Sequence, residues 1–329
     1  MQTSKQTPRV EPTPAIHRIG VLGAGQMGAA AAVLFLRAGF QVRLWSRDEV
    51  RLRACESKLS AIEDFLNLHF GKPSITTGKL ELEPSFSDVD ASSDAVFECV
   101  AEDMEQKVNL LRDLECSRER EVLVMSCTSA LSITEMASKS GLEKNLVGAH
   151  FWNPPHLIPV VEVVAGSKTP PHQLLRAQSL LRQLGKIPVT CADVPGFIGN
   201  RLMHAMWREA LHLVQAGICT AEDLDRVVKW TFALRLPALG PMENMDLVGL
   251  GLAESVQRYL LPDLASNSVP SSELTSRLSR GETGMRSGKG FYDWSTRDAA
   301  STIELRDEQI VQQLRFLERQ GVFADTEKQ

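Results

Sequence analysis

The sequence contains few of the features that mark specialised classes of protein. Its 329 residues carry a net charge of −5, so the basic surface that nucleic-acid binding requires is not expected. No apolar run reaches the length needed to span a bilayer. We therefore expect a globular protein that has neither nucleic-acid nor membrane partners.

Cysteine is also scarce: the six cysteines are scattered, and none forms a CxxC pair or lies at metal-ligand spacing from a histidine. This pattern favours reduced thiols and no metal site. Residues 1–16 contain three prolines and no apolar segment, so they match neither a secretory signal nor a mitochondrial presequence. We interpret them as a flexible tail and expect a cytoplasmic protein.

What the sequence does contain is a regular alternation of strand and helix patterns. Residues 18–23 predict a buried parallel strand, 29–38 an apolar helix and 40–45 a second strand. Further strands are predicted at 94–100, 122–126, 146–151, 159–164 and 187–190, and helices at 48–68, 104–114, 132–140 and 171–184. The stretch 69–93 is turn-rich and is interpreted as less regular. The alternation is typical of an α/β, Rossmann-type doubly wound sheet.

The pattern changes after Pro195 and Gly196, where one long helix is predicted over 197–216. Thr220, with an aspartate three residues later, predicts the N-cap of the next helix, and the remaining sequence is mostly helical. The chain is long enough for two domains. We place the α/β domain at 17–194 and an all-α domain at 195–329.

A GxGxxG motif lies between the first predicted strand and the first predicted helix. Gly23 allows the tight turn, Gly25 leaves room for a pyrophosphate, and Gly28 lets the helix pack closely on the sheet. Gln26 and Met27 begin the helix, whose N-terminus offers amide donors and a positive dipole end to phosphates. The sequence therefore predicts a dinucleotide site in the 17–194 domain.

The end of the second strand should select between NAD and NADP, because an acidic residue there usually binds the adenosine ribose. Ser46 stands at that position, and Arg47 follows it. Serine does not repel a 2′-phosphate, and an arginine could pair with one, which favours NADP. The alternative is that Asp48 or Glu49 binds the ribose while Arg47 faces solvent, which favours NAD.

His150 ends one predicted strand, and Glu162 lies among four valines in the next. A carboxylate in such apolar surroundings needs a partner, and a return strand could bring it to His150. The imidazole would accept an alcohol proton while hydride leaves for the nicotinamide, and the carboxylate would fix its tautomer. Ser129, after a strand, and Asn200, in the first turns of the interdomain helix, could bind the substrate oxygen or act only as turn and cap residues.

These segments together resemble the L-3-hydroxyacyl-CoA dehydrogenase family. The matching segments are GAGQMG, FECVAED, SCTSALSIT, GAHFWNPPHLIPVVEVV, DVPGFIGNRL, LGPMENMDLVGL and SGKGFYDW, which lie between residues 18 and 294. The resemblance implies that His150 is the general acid/base, that Glu162 is its partner, and that Ser129 and Asn200 contact the substrate oxygen. It also implies that Glu102 and Lys107 lie on the cofactor side.

At the level of the whole protein, the resemblance implies NAD as cofactor, a homodimer formed through the helical domain and a short-chain substrate of the 3-hydroxybutyryl-CoA type in fatty acid metabolism. The sequence departs from the family at Ser46, where aspartate is usual, and at 70–86, where a helical hairpin that helps to hold coenzyme A is shortened. It also continues past Trp294 into a predicted extra helix.

Two other interpretations stay open. Segments such as ECVAED and NPPHLIPVVEVV also resemble the lambda-crystallin (L-gulonate 3-dehydrogenase) and carnitine 3-dehydrogenase branches. These branches imply a free polar 3-hydroxy acid as substrate, without coenzyme A. A crystallin-like dinucleotide-binding protein without catalysis is the other alternative, and the presence of His150 and Glu162 disfavours it.

Overall fold

The computed structural model describes residues 15–83 and 85–321. The described residues up to Phe197 form one compact unit, and those from Ile198 onward form a second. Residues 1–14 of the expected flexible tail lie outside the described part of the chain.

The first unit begins with a strand, a glycine turn, a helix and a second strand. Strand β1 (Arg18–Leu22) is buried after its first residue, and helix α1 (Gln26–Arg37) is buried on all sides along the run 28–35, which includes four consecutive alanines. Strand β2 (Gln41–Trp45) pairs with β1 in parallel. The chain turns from α1 to β2 at Gly39, whose φ of +87° is one that glycine adopts without strain.

The rest of this unit repeats the alternation. Its elements are α2 (Glu49–Phe70), β3 (Leu80–Glu83), α3 (Phe86–Ser92), β4 (Ala95–Glu98), α4 (Met104–Arg112), α5 (Glu115–Glu119), β5 (Leu123–Ser126), α6 (Ile133–Ser140), β6 (Leu146–Phe151), β7 (Val160–Ala165), α7 (Pro171–Gln183) and β8 (Ile187–Cys191). Within the described residues, eight strands form one sheet in the order β3-β2-β1-β4-β5-β6-β7-β8. Every pair of neighbours is parallel except β6 and β7, which confirms the predicted Rossmann-type class.

The interpretation of residues 69–93 as irregular is wrong for their second half, which holds β3 and α3. The alternation in Leu80-Glu81-Leu82-Glu83 forms an edge strand, where Arg43 of β2 pairs with Glu81 at 2.9 Å. Ser85 caps α3 by accepting a hydrogen bond from the amide of Asp88. Both elements are short, and β3 forms only because it pairs with β2. The local sequence pattern therefore indicates them only weakly.

Two clusters of buried apolar residues cover the two faces of the sheet. Ile19 and Val21 belong to the cluster that includes residues of α1, α2 and α7, whereas Leu22 belongs to the cluster that includes residues of α3, α4 and α6. This burial on both faces explains the nearly continuous apolar strands of the sequence.

The second unit is helical. It consists of α8 (Gly199–Gln215), α9 (Ala221–Trp230), α10 (Pro241–Val248), α11 (Leu250–Leu260), α12 (Ser272–Ser279) and α13 (Ala299–Arg319), with short 3-10 turns between some of them. Thr220 caps α9 as predicted, since its side chain accepts from the amide of Asp223 at 3.1 Å. Helix α13 confirms the predicted helix after Trp294. Among the described residues, no helix is both long and apolar enough to cross a membrane.

Candidate active site

The carboxyl ends of β1, β4, β5 and β6 meet at one edge of the sheet. Strand β1 lies between β2 and β4, so the strand order reverses there, and such a reversal opens a crevice in which Rossmann-type sheets bind ligands. The segments that follow these strands carry Gly23, Glu102, Ser129 and, in β6 itself, His150. The predicted cofactor and substrate residues of the first unit therefore share this edge.

The geometry of the glycine turn requires glycine at two of its three positions, residues 23 and 28. Gly23 has a φ of +121°, and a Cβ on Gly28 would lie 1.7 Å from the carbonyl oxygen of Gly23. Gly25, by contrast, is exposed and would have no atom within 4 Å of an added Cβ. Helix α1 starts directly after Gly25 without a side-chain cap or an acidic residue in its first turn. This open, uncapped helix N-terminus fits the pyrophosphate of a dinucleotide.

The residues after β2 are divided between capping a helix and facing solvent. The carboxylate of Asp48 accepts hydrogen bonds from the first amides of α2 and pairs with Arg51 at 3.2 Å. Ser46 accepts a hydrogen bond from the amide of Asp48 at 3.2 Å, and Arg47 is exposed. Asp48 is thus engaged with α2, whereas Glu49 is the exposed first residue of that helix. Ser46 and Arg47 stay the predicted ribose-side residues, with Glu49 as the alternative.

His150 and Glu162 face each other across the antiparallel pair β6–β7, where they occupy opposite positions in the register. Nδ1 of His150 lies 2.7 Å from a carboxylate oxygen of Glu162, and both residues are buried. Because Nδ1 faces Glu162, Nε2 is the ring nitrogen that can exchange a proton with a substrate. The rings of Trp152 and Phe197 lie 5.0 Å and 5.9 Å from the imidazole, which gives it apolar neighbours.

Glu102 organises the turn that carries Ser129. One carboxylate oxygen accepts hydrogen bonds from the hydroxyl of Thr128 at 2.7 Å, the amide of Ser129 at 2.8 Å and the amide of Ala130 at 3.1 Å. Three donors on one oxygen hold the turn after β5 in a single arrangement. Glu102 was predicted to lie on the cofactor side, and its contacts also fix the backbone of a predicted substrate residue.

A buried ion pair lies beneath this turn. Nζ of Lys107 is 2.8 Å from Glu98 and 3.8 Å from Glu102, and the side chains of Lys107 and Glu98 are fully buried. Burial lowers the pKa of Lys107, but the charge and hydrogen bond of Glu98 outweigh it and raise the pKa. Lys107 was predicted as a cofactor residue; its ammonium has protein partners here and supports Glu102 from inside the fold.

Sequence reasoning missed Glu98, although a signal was present. Glu98 ends the apolar strand β4, just as Glu162 lies in an apolar strand, and a buried carboxylate in either place needs a partner. It also missed Asn153, whose side-chain oxygen accepts a hydrogen bond from Gln26 at 3.0 Å. This contact joins the first residue of α1 to the segment that follows β6, the strand of His150.

The other predicted site residues lie as follows. Met27 is half-buried against the core beneath the glycine turn. Asn200 is the second residue of α8 in the second unit, and its predicted contact with the substrate oxygen stays a prediction. Among the described residues, no group of three or more histidine, cysteine or acidic side chains could hold a metal ion.

Comparison with known proteins agrees with this geometry. Residues 18–194 match the model of the 3-hydroxyacyl-CoA dehydrogenase NAD binding domain, and residues 196–294 match that of the family's C-terminal domain. The chain is 32% identical to a 5-formyl-3-hydroxy-2-methylpyridine 4-carboxylate 5-dehydrogenase of Mesorhizobium japonicum, over 92% of this chain and 99% of the relative. It is 31% identical to a probable 3-hydroxybutyryl-CoA dehydrogenase of Bacillus subtilis, over 85% of this chain and 98% of the relative.

A solved structure is also similar. The crystal structure of a 5-formyl-3-hydroxy-2-methylpyridine 4-carboxylic acid 5-dehydrogenase, described as an NAD⁺-dependent dismutase, superposes with a TM-score of 0.87 at 31% identity and covers 92% of this chain and 99% of its own. Both domain models and both relatives lead to the same assignment. The chain belongs to the 3-hydroxyacyl-CoA dehydrogenase family, whose members are nicotinamide-dependent enzymes that act on CH–OH groups.

Proposed function

We propose that this chain transfers a hydride between a nicotinamide dinucleotide and the carbon β to a carboxyl or thioester carbon, with His150 as general acid/base. The observation that carries the proposal is the buried 2.7 Å contact between His150 and Glu162, at the sheet edge that also carries the glycine turn. A nucleotide-binding protein without catalysis has no need of a buried imidazole held by a carboxylate.

Each residue of the site has a separate role in the proposed hydride transfer. Glu162 holds His150 through Nδ1 and stabilises the imidazolium that forms when Nε2 takes the proton of the substrate hydroxyl. Ser129, on the turn held by Glu102, and Asn200 bind the substrate oxygen. The bound nicotinamide supplies the hydride acceptor, and in the reverse direction the donor. The open turn at Gly25 binds its pyrophosphate.

A steady-state assay of His150→Ala tests this mechanism. We expect turnover to fall by about 10²- to 10⁴-fold, as is usual when a general acid/base is removed. The dissociation constant of the dinucleotide, measured by fluorescence titration, should stay unchanged because the glycine turn is intact. Wild-type turnover in the variant would refute the role of His150.

For the substrate, we propose a short-chain 3-hydroxyacyl-CoA of the 3-hydroxybutyryl type, by analogy with the family and with the Bacillus subtilis relative. A specific observation favours a second candidate, a free hydroxy acid. Residues 71–79 lead from α2 to β3 without a second helix, so the hairpin that helps to hold coenzyme A in the family is shortened. The Mesorhizobium relative is named for a substrate that is a small free carboxylate.

Assays with matched substrates distinguish the two candidates. If the first candidate is right, the enzyme should reduce acetoacetyl-CoA. Free gulonate or carnitine should inhibit that reduction only weakly. Oxidation of gulonate, carnitine or another free hydroxy acid, with no turnover of any acyl-CoA, would establish the second and contradict the first.

For the cofactor, we propose that Ser46 and Arg47 admit the 2′-phosphate of NADP, with NAD as the alternative that the family favours. Arg47 is exposed, and Asp48 is engaged in capping α2. We expect Arg47→Ala to weaken NADP binding more than NAD binding. Arg53→Ala, which removes an exposed arginine of α2, is the matched control and should change the affinity for neither cofactor. An equal loss for both cofactors in Arg47→Ala would exclude the phosphate contact.

We also propose that the helical unit serves substrate binding and forms a homodimer with a second copy of the chain. The support is its exposed apolar surface, by which we mean its large apolar side chains that are open to solvent, among them Trp230, Leu234, Leu250 and Tyr259, which are 69%, 64%, 61% and 89% exposed. Large apolar areas that remain exposed mark interaction surfaces. Light scattering at micromolar concentration tests the proposal, and a monomeric mass would contradict it.

A further inference from the structure

Lys186 is a buried lysine that the proposed mechanism does not use. It precedes β8, is only 6% exposed, and donates hydrogen bonds from Nζ to the carbonyl oxygens of Pro155 at 2.7 Å and Ile158 at 2.8 Å. No carboxylate in the described part of the chain forms an ion pair with it, so its burial is not compensated by an opposite charge. Lysine is almost never fully buried unless its ammonium has partners, and here the partners are backbone carbonyls.

The two carbonyls belong to the turn, residues 152–159, that joins β6 to β7. Three of its residues are prolines, which have no amide hydrogen and cannot donate within the turn. Lys186 supplies the donors for two of its carbonyls, and the neighbouring amide of Ile187 donates to the carbonyl of Pro159 at 2.9 Å. Two adjacent residues at the start of β8 therefore hold the turn from one side.

The ends of this turn set the register of β6 against β7. His150 lies two residues before the turn and Glu162 two residues after Val160, the first residue of β7. The 2.7 Å contact between them depends on that register, because a change in the turn moves one strand along the other. Lys186 is thus connected to the pair through the backbone and does not touch it.

We propose that Lys186 is a positioning residue that holds the 152–159 turn and thereby keeps His150 and Glu162 in contact. The proposal rests on the proposed function for its effect on turnover, although the contact itself can be measured without substrate. Burial lowers the pKa of Lys186 to about 7. A neutral amine still has two N–H donors, enough for both carbonyls, so the support does not require a charged side chain.

The test compares Lys186→Met, which removes the donors, with Lys186→Arg, which keeps N–H donors on a long side chain. We expect Lys186→Met to lower kcat by about ten- to a hundredfold, the loss typical of a misplaced reacting group, with KM for the dinucleotide unchanged. Lys186→Arg should restore part of kcat. All variants are assayed at a temperature at which circular dichroism shows them to be folded.

Two control variants distinguish a loss of kcat that results from a misplaced His150 from one that results from a less stable fold. Lys168→Met removes an exposed lysine that pairs with Glu143, and Val89→Ala opens a buried site on α3, near the opposite edge of the sheet. Both should retain the kcat of the wild type, even if Val89→Ala melts at a lower temperature. If Lys186→Met melts at a lower temperature than the wild type but keeps the wild-type kcat, the role of Lys186 is only structural and the proposal fails.

A second measurement makes the test independent of turnover. Imidazole ¹⁵N NMR reports the hydrogen bond at Nδ1 of His150 without substrate or cofactor. We expect the ¹⁵N signal of this hydrogen bond to be weaker in Lys186→Met than in the wild type. It should be at least partly restored in Lys186→Arg and unchanged in both controls. An unchanged signature in Lys186→Met overturns the positioning role and leaves the proposed function intact. A wild type that turns over no hydroxyacyl substrate, but whose His150 signal depends on Lys186, overturns the proposed function alone.

Discussion

The unit that ends at Phe197 and the unit that begins at Ile198 differ in how completely they bury their side chains. The first buries apolar residues on both faces of its sheet and also buries the ion pair of Glu98 and Lys107. In the second, Asn200 and Val311 alone are buried among residues 198–321. The first unit therefore completes its core from its own sequence, whereas the second leaves large apolar residues of its helices exposed.

This difference shows what an amphipathic sequence does and does not specify. The spacing of apolar residues in α9 and α11 determines which face each helix would bury. It does not determine what covers that face, because a second copy of the chain satisfies the same pattern as a neighbouring helix. In the sheet, by contrast, strand pairing and both layers of helices lie within one unit. Changes at single residues in either unit test this contrast.

The glycine turn should tolerate a methyl group at one glycine and not at another. We expect Gly28→Ala to destabilise the first unit by about 3 kcal/mol or more, at the upper end for overpacking, because its Cβ would lie 1.7 Å from the carbonyl oxygen of Gly23. Gly25→Ala meets no atom within 4 Å and should keep the wild-type melting temperature. It should nevertheless lose dinucleotide affinity, since the methyl group occupies the space of the pyrophosphate.

Thermal melting and a dinucleotide titration of both variants check this prediction. Equal melting temperatures for Gly28→Ala and Gly25→Ala would contradict the close approach of residue 28 to the carbonyl oxygen of Gly23. Unchanged dinucleotide affinity in Gly25→Ala would show that the pyrophosphate does not bind at the N-terminus of α1.

Next in size is the effect of removing the charge of Glu162 from the buried pair with His150. Glu162→Gln keeps the shape of the side chain but cannot stabilise an imidazolium as a carboxylate does. We expect kcat to fall by about ten- to a hundredfold, less than the loss for His150→Ala. Steady-state kinetics measures this, and Glu135→Gln on the exposed face of α6 is the matched control. A kcat equal to that of the wild type would contradict the proposed role of the carboxylate.

Much of the first unit could be predicted from sequence because its strands are continuous apolar runs separated by turn residues. The strands that carry His150 and Glu162 were predicted to within one residue. β3 and α3 could not be, because they are short and depend on pairing with β2 and on the Ser85 cap. Lys186 was missed for a similar reason: its partners are backbone carbonyls, which have no sequence signature.

A new carboxylate should change the oligomeric state when it replaces a residue of the exposed apolar surface of the second unit. It should have no such effect at a polar position. On the proposal that Trp230 lies in a homodimer interface, Trp230→Glu should halve the molar mass measured by light scattering, because a carboxylate would be buried in that interface. Arg226→Glu on the same helix is the control, since Arg226 is exposed and pairs with Asp223 in the first turn of α9. Loss of the dimer in both variants would indicate a general effect of charge and not burial of Trp230.

The smallest expected effect is a pH dependence that originates at Lys186 in the first unit. Burial lowers its pKa in the folded protein to about 7, from an ordinary value of 10.5. Between these two values the unfolded chain binds more protons at this site than the folded chain, so the free energy of unfolding should rise with pH. The slope is about 1 kcal/mol per pH unit for one proton. Urea unfolding of wild type and Lys186→Met from pH 7 to pH 8.5 measures it.

The upper limit of that range is set by the buried thiols, which act in the opposite direction. Burial raises the pKa of Cys127 to about 12 and raises that of Cys99 as well, so these thiols stay protonated in the fold while they ionise in the unfolded chain above about pH 8.5. Because the thiols are common to both proteins, the difference between wild type and Lys186→Met isolates the lysine at every pH. Parallel stability curves would show that Lys186 keeps its proton throughout, held as an ammonium by the carbonyls of Pro155 and Ile158, and Lys168→Met should retain the wild-type slope in either case.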